Sequence, residues 1–285
     1  MRKSFWELAT KFAGYGEEMS SINQLFNETM VYCHDLGKNL TVKEYIDRTS
    51  FHRWMHDNGL TAISIDNLME KLKMDFFNSQ GIRLEFTQEE FLLYAETIYN
   101  LVNMKGKAER NIIDVISLIN HDIEIDCERL GFEIKKTGEE KYIIVEKNAA
   151  ATAVADKYAD GDLAFSHKVI EYNHFLLRGN IDRKREILLA IGQKFEPIRR
   201  RLEGSPFKSV SEDARALLNN LNIRHDNISP EDKTHYNAVV DQMPNGDLEE
   251  WYDKTYSVLL LALLADDFSA LHKEIKELKA QIESK

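Results

Sequence analysis

Cysteine, proline and glycine are scarce in this chain: its 285 residues include 2 Cys, 4 Pro and 13 Gly. Cys33 and Cys127 lie far apart in sequence, and neither belongs to a Cys-x-x-Cys pair. That excludes a zinc site built on cysteine and fits a reducing compartment. So few prolines and glycines leave room for long helices. Long apolar runs are absent as well. The longest, Tyr256 to Ala265, is ten residues, half of what a membrane span needs, and reads as a buried helix. The opening residues MRKSFWELATKF begin with two positive charges but have no apolar central region, so they do not read as a signal peptide. A cytoplasmic location without membrane contact is the expectation. Excess positive charge is missing too. With 37 Lys and Arg against 48 Asp and Glu, the net charge is −11, which excludes a global basic field of the kind that draws nucleic acid.

What is present points to helices. Ser4/Glu7, Thr41/Glu44, Thr87/Glu90 and Ser209/Glu212 have capping-box spacing, in which the cap hydroxyl and the Glu three residues on each accept a backbone N–H. Asp247/Glu250 has the same spacing with Asp as the cap. Helix starts are predicted near residues 5, 42, 88, 210 and 248. Apolar periodicity adds helices over Glu17 to Leu36, Ile65 to Asn78, Ala108 to Leu130, Asp162 to Arg178 and Ile181 to Leu202. Gly37, Gly59, Gly81, Gly106, Gly131 and Gly179 stand as helix stops, and Pro197 is expected to kink or break its helix. One segment differs. Phe132 to Glu146 alternates apolar and polar residues, turns at Thr137-Gly138 and continues in a β-rich run, so it reads as a two-stranded hairpin that must pack on helices. The small residues from Asn148 to Ala155 mark a junction. The expected fold is mainly α: a helical N-terminal domain over 1–130, a hairpin connector over 131–147, and a C-terminal bundle of four or five helices over 148–285.

The chemistry concentrates at the end of one predicted helix. Leu217, Leu218, Leu221 and Ile223 bury one side and bring Arg224, His225, Asp226 and Asn227 to the helix terminus. Arg holds phosphate oxygens with a planar fork of donors, and His titrates near neutral pH. Ten Lys and Arg fall between Ile181 and Arg224 against six Asp and Glu, a local excess of positive charge. Arg183, Lys184, Arg185, Arg199, Arg200, Arg201 and Arg215 would make that stretch a landing strip for RNA. The alternative for the strip is a solvated helix face. For the cluster it is a helix C-cap, with Arg224 on the last carbonyls and Asp226 and Asn227 in a turn.

Other candidates are weaker. His167, Glu171 and His174 share one helix face, but a single helix cannot enclose a metal, so a polar bundle seam is the better reading. His-Asp dipeptides at 34, 56, 121 and 225 are more than chance gives. His121-Asp122 with His52 or His56 upstream fits, loosely, the residue order of metal phosphohydrolases of the HD type. Tyr15, Trp54, Phe91, Tyr94 and Tyr99 lie on apolar stripes and read as core. Trp251, Tyr252, Val258, Leu259 and Leu263 give the last helix apolar surface on more than one side, which predicts a homodimer through the bundle.

The stretch HKVIEYNHFLLRGNIDRKREILLAIGQKFEPIRRRLEG, followed by LLNNLNIRHDN, resembles a group of bacterial proteins of the abortive-infection type, which act in phage defence. The Arg-His-x-Asn element between two long helices also resembles HEPN ribonuclease domains. The likeness covers residues from about 160 to 285. It implies a metal-independent ribonuclease or RNA-binding effector without a cofactor, formed where two protomers meet and answering to a phage-derived trigger. In such domains an Arg is followed four to six residues later by a His. Here His225 follows Arg224 at once and the next is His235, so either could move protons. Arg224 would hold the scissile phosphate and Asn227 would orient the phosphate or the imidazole, while the RNA 2′-OH serves as nucleophile. The competing class is a non-enzymatic helical protein that dimerises or docks a partner.

Overall fold

The spacing of Thr41 and Glu44 closes into a full capping box. Thr41 Oγ1 accepts from Glu44 N at 3.2 Å, and Glu44 Oε2 accepts from Thr41 N at 2.9 Å. Thr87 and Glu90 do the same at 3.2 and 2.8 Å. The computed structural model describes residues 15–57, 61–74, 77–78, 81–82, 86–104, 110–138 and 141–283. The Ser4/Glu7 box, Gly59 and Gly106 lie outside the described residues.

The chain is mainly helical and divides into two compact units, Met1–Lys147 and Asn148–Lys285. The first unit begins with α1 (Tyr15–Asn27), a hairpin of β1 (Met30–Cys33) and β2 (Lys38–Thr41), and α2 (Val42–Ile46). A π-helical turn over Asp47–Phe51 carries α2 into α3 (His52–Asp57), and α4 (Ile65–Lys71) follows. The two-residue strands β3 (Phe77–Asn78) and β4 (Gly81–Ile82) then pair, before α5 (Gln88–Val102) and α6 (Arg110–Arg129). The predicted hairpin is present as β5 (Phe132–Gly138) and β6 (Lys141–Glu146), paired from Phe132↔Glu146 to Gly138↔Lys141 with a register shift between Lys136 and Gly138, and Thr137-Gly138, expected as its turn, lies at the end of β5 instead. It packs on α6 and α5, as a lone hairpin must, and so belongs to the first unit. Met19, Ile22 and Phe26 of α1 meet Phe91, Leu92, Ala95 and Ile98 of α5 and Ile112, Ile119 and Ile123 of α6 in one apolar core. Phe91, Tyr94 and Tyr99 are buried, as their stripes predict.

Three expected helices are shorter than their periodicity implies. Residues 17–36 do not form one helix. The chain leaves α1 at Asn27, and Met30–Cys33 switches to a period of two, with Val31 and Cys33 buried and Met30 and Tyr32 exposed. Gly37, at φ +63°, turns this hairpin rather than ending a helix. The helix expected over 65–78 ends at Lys71, and Gly81 falls in β4. The one expected over 162–178 stops at Glu171 and gives way to a 3-10 turn over Phe175–Leu177.

The second unit holds α7 (Ala149–Ala159), α8 (Leu163–Glu171), α9 (Ile181–Glu203), α10 (Lys208–Asn220), the short α11 (Ala238–Asp241) and α12 (Asn245–Glu283). Asn148, Asp162 and Asn180 cap α7, α8 and α9 with side-chain oxygens that accept from the third residue on, at 3.0, 3.0 and 3.1 Å. The Ser209 box does not form. Ser205 Oγ accepts from Phe207 N at 3.1 Å in the preceding turn, so α10 starts at Lys208 with Ser209 already inside it. Asp247 likewise sits in the first turn of α12 rather than at its cap. Pro197 does not break α9. Pro197 and Gln193, whose carbonyl it cannot serve, both lie on the exposed side, where water can take the missing bond. Ile187, Leu188, Ile191, Phe195 and Leu202 of α9 pack against Tyr252, Leu259, Leu260 and Leu263 of α12, with Ala214 and Leu218 of α10 beside them. Among the described residues, no helix is long and apolar enough to cross a membrane.

Candidate functional site

The Arg-His-Asp-Asn cluster sits in the loop that leaves α10. Leu221 N donates to Leu217 O at 3.1 Å, and Asn222 then takes the left-handed conformation at φ +56°. Leu221 is therefore the C-cap, and Asn222, a residue type that tolerates this conformation, takes the left-handed position just past it. Arg224 N returns to Leu218 O at 3.1 Å and tightens the end.

Asn227 staples the loop from within. Its Oδ1 accepts from Asn222 N at 2.8 Å, and Asn222 Oδ1 accepts from Asn227 N at 3.2 Å. Its Nδ2 donates to His235 O at 2.6 Å, and its carbonyl accepts from Asn237 N at 2.8 Å. With 2% of its surface exposed, Asn227 has no donor or acceptor turned toward solvent.

Arg224 points into the bundle. One guanidinium nitrogen donates to Gly192 O of α9 at 3.3 Å and pairs with Glu196, while the other lies 3.5 Å from Asn219 Oδ1. Gly192 makes the close packing of Leu218 on α9 possible. A Cβ there would meet the Leu218 methyls at 3.0 and 3.1 Å and stand 3.7 Å from the guanidinium.

The two imidazoles lie together on the outer side of the loop. His225 and His235 stack with centroids 4.0 Å apart and planes 10° from parallel. His235 Nδ1 lies 2.9 Å from Asp232 Oδ2, and the Asp232 carboxylate also accepts from Thr234 N and His235 N at 3.1 and 3.3 Å. The His235 bond, more than any other contact, holds the Asp232 carboxyl below its ordinary range. Asp232 is an orienting group that sequence spacing alone does not single out.

The basic strip is answered by carboxylates. Arg183 grips Glu171 with two nitrogens at 2.7 and 2.8 Å and also reaches Glu186. Lys184 is buried, and its ammonium meets Asp253 at 2.7 Å and Glu249 at 2.8 Å, below the Tyr172 ring. Arg185 donates to the Asn222 carbonyl. Arg199 pairs with Glu203 at 3.3 Å and Arg201 with Asp266 at 2.7 Å. Arg200 and Arg215 are exposed and have no ion pair among the described residues. Glu171 is occupied with Arg183, and the ring of His174 packs edge-on to Phe175 at 4.8 Å. Among the described residues, no group of three His, Cys, Asp or Glu could hold a metal ion, which leaves the HD-type arrangement without its cluster.

The first unit offers a cavity of about 350 Å³ between α1, α4 and α5, lined by Asn23, Phe26, Lys43, Asp66, Met69 and Tyr94. Its polar groups pair with one another: Tyr94 donates to Asn23 at 3.2 Å, and Lys43 pairs with Asp66.

A different surface stands out on α12. Tyr252, Leu259 and Leu263, expected at a dimer face, are buried in the bundle instead. Trp251 is exposed beneath the Lys254 ammonium at 4.6 Å, and Val258 is half-buried. From Leu271 to Glu283 every residue of α12 is exposed, so the helix has left the bundle. Phe268, Leu271, Ile275, Leu278 and Ile282 recur there at alternating steps of three and four, and Leu278 and Ile282 are 56% and 65% exposed.

Fold and site together define a mainly helical protein of two units, with a polar loop stapled from within and a terminal helix that projects with an apolar stripe. Compared with protein-family models, curated proteins and solved structures, the chain matches none.

Proposed function

We propose that the chain works by docking, with the projecting half of α12 as its protein-binding element. The observation that carries this reading is the exposed stripe of Phe268, Leu271, Ile275, Leu278 and Ile282 on a helix that has left its own bundle. Alternating steps of three and four keep such side chains on one face, the pattern of a helix that packs on another helix. An exposed apolar stripe of this length marks an interaction surface in a water-soluble fold. The ion pairs along α9 support the same reading, because the basic strip has much of its charge answered inside the bundle. The test is site-specific photo-crosslinking of the full chain in the cell that produces it. A photoreactive residue at Leu271 should give a discrete adduct, and one at Lys273, on the opposite side of the helix, should not. No adduct from either position removes the docking reading.

RNA cleavage in a phage-defence setting is the second reading, supported by the stacked His225 and His235 and the Asp232 carboxylate behind them. It requires Arg224 to release Glu196 before it can grip a phosphate. Wild type, Arg224→Ala and His225→Ala are to be expressed in bacteria, with and without phage, and total RNA run on a gel. Intact RNA in every culture removes this reading.

A further inference from the structure

We infer that the projecting half of α12 pairs with the same segment of a second copy of this chain, as a parallel two-stranded coiled coil. The inference rests on the docking reading and names the partner. With Phe268 as position a of a seven-residue repeat, Leu271 is d, Ile275 a, Leu278 d and Ile282 a. Leu261, 49% exposed, continues the a positions back toward the bundle. Ile at a with Leu at d is the combination that favours two parallel strands. A β-branched a side chain fits the hole offered by a parallel partner, and a Leu at d fits the other.

The flanking charges choose the orientation and the partner. Asp267 and Glu274 fall at g, and His272 and Lys279 fall at e. In a parallel pair each g residue faces the e residue of the next heptad across the seam, so Glu274 meets Lys279 of the other copy, while Asp267 is held by Lys157 of its own bundle at 2.7 Å. In an antiparallel pair g faces g and e faces e, which sets Glu274 against Glu274 and Lys279 against Lys279. Like charges there repel. A homotypic parallel pair is thus the arrangement in which this sequence complements itself. The bundle leaves the seam open: Phe268 touches Phe207 edge-on at 5.7 Å, and every residue from Leu271 to Glu283 is exposed. Three exposed turns of helix without tertiary support are marginal on their own, and a second strand supplies the missing contacts.

The experiment is sedimentation of the purified full chain at concentrations on the order of 10 µM. The expected species is a dimer of the 33.1 kDa chain. The double variant Leu271→Glu with Leu278→Glu should sediment as a monomer that loses helical signal only from the projecting turns and keeps the melting of the bundle, because both side chains lie outside the core. Glu274→Lys alone and Lys279→Glu alone should each weaken dimerisation about tenfold, and an equimolar mixture of the two should restore it. The variant Leu278→Cys should oxidise to a disulfide-linked dimer, since d faces d in a parallel pair. A monomeric wild type, or a dimer indifferent to Leu271→Glu with Leu278→Glu, overturns the inference. A dimer that is lost in that double variant, but is not weakened by either single charge reversal or is not disulfide-linked in Leu278→Cys, overturns the parallel arrangement. A crosslinked adduct at Leu271 with another mass, together with a monomeric purified chain, leaves docking in place and excludes the second copy as partner.

Discussion

All the hydrogen bonds that Asn227 makes are to its own loop, and this fixes what the residue is for. Replacing it with Ala leaves the Asn222 N–H and the His235 carbonyl without partners in a place that water reaches poorly. A buried donor or acceptor left unpaired costs about 1–3 kcal/mol, so Asn227→Ala should lower stability by roughly 2–4 kcal/mol in urea unfolding. The His225–His235 stack should loosen with it, because the Asn227 amide holds the His235 backbone. A variant as stable as wild type would show that the staple contributes nothing. Lys184 has a comparable lesson. Its ammonium lies between Asp253 and Glu249 under an aromatic ring, an anchor between α9 and α12 that is closed to any phosphate.

Helices α1 and α6 bring two carboxylates together. Asp126 of α6 lies beside Glu18 of α1, with Arg129 one turn further on bridging to both. Burial first, and the Glu18 charge second, push the Asp126 carboxyl well above its ordinary range. The folded state therefore holds a proton that the unfolded chain has released. Stability from this group is fully present below the unfolded pKa and is lost as pH rises through the folded one. The first unit should melt at higher temperature at about pH 5 than at about pH 7, and Asp126→Asn should flatten that dependence and raise the melting point at neutral pH. An unchanged pH profile in Asp126→Asn would assign the effect to other groups. The elements themselves were legible where their signals are local. Thr41/Glu44 and Thr87/Glu90 carry their caps within three residues, and the 132–146 hairpin carries its own alternation, though its turn falls after Gly138 and not at Thr137-Gly138. Met30–Cys33 was not legible, because four residues following a helical stripe extend that stripe as readily as they start a strand. The fate of the basic strip was hidden for another reason. Lys184 and Asp253 are 69 residues apart and Arg201 and Asp266 are 65 apart, so no window along the sequence shows that they meet. Arg224 and its Glu196 partner were hidden the same way, since Glu196 stands on α9 and Arg224 in the loop after α10.

At the scale of the whole molecule, each unit has a core of its own, one built on α1, α5 and α6 and the other on α9, α10 and α12. Calorimetry should resolve two transitions. Asp126→Asn should move one of them and Asn227→Ala the other, and a single transition moved by both would show that the units melt together. The net charge of −11 belongs to this scale too, because pairing along α9 leaves few cations to offset it locally. Helix α12 runs from Asn245 to Glu283 with no glycine or proline after Gly246. One uninterrupted rod is thus inboard and outboard at once, with Tyr252, Leu259 and Leu263 locked in the bundle and Leu278 and Ile282 outside it. Selection acts on those two halves under different rules. A change inboard is judged by whether the chain still folds, and a change outboard only by whom the chain then meets. Descendants of this sequence can therefore exchange partners by drift along a few outward turns while the bundle beneath stays as it is.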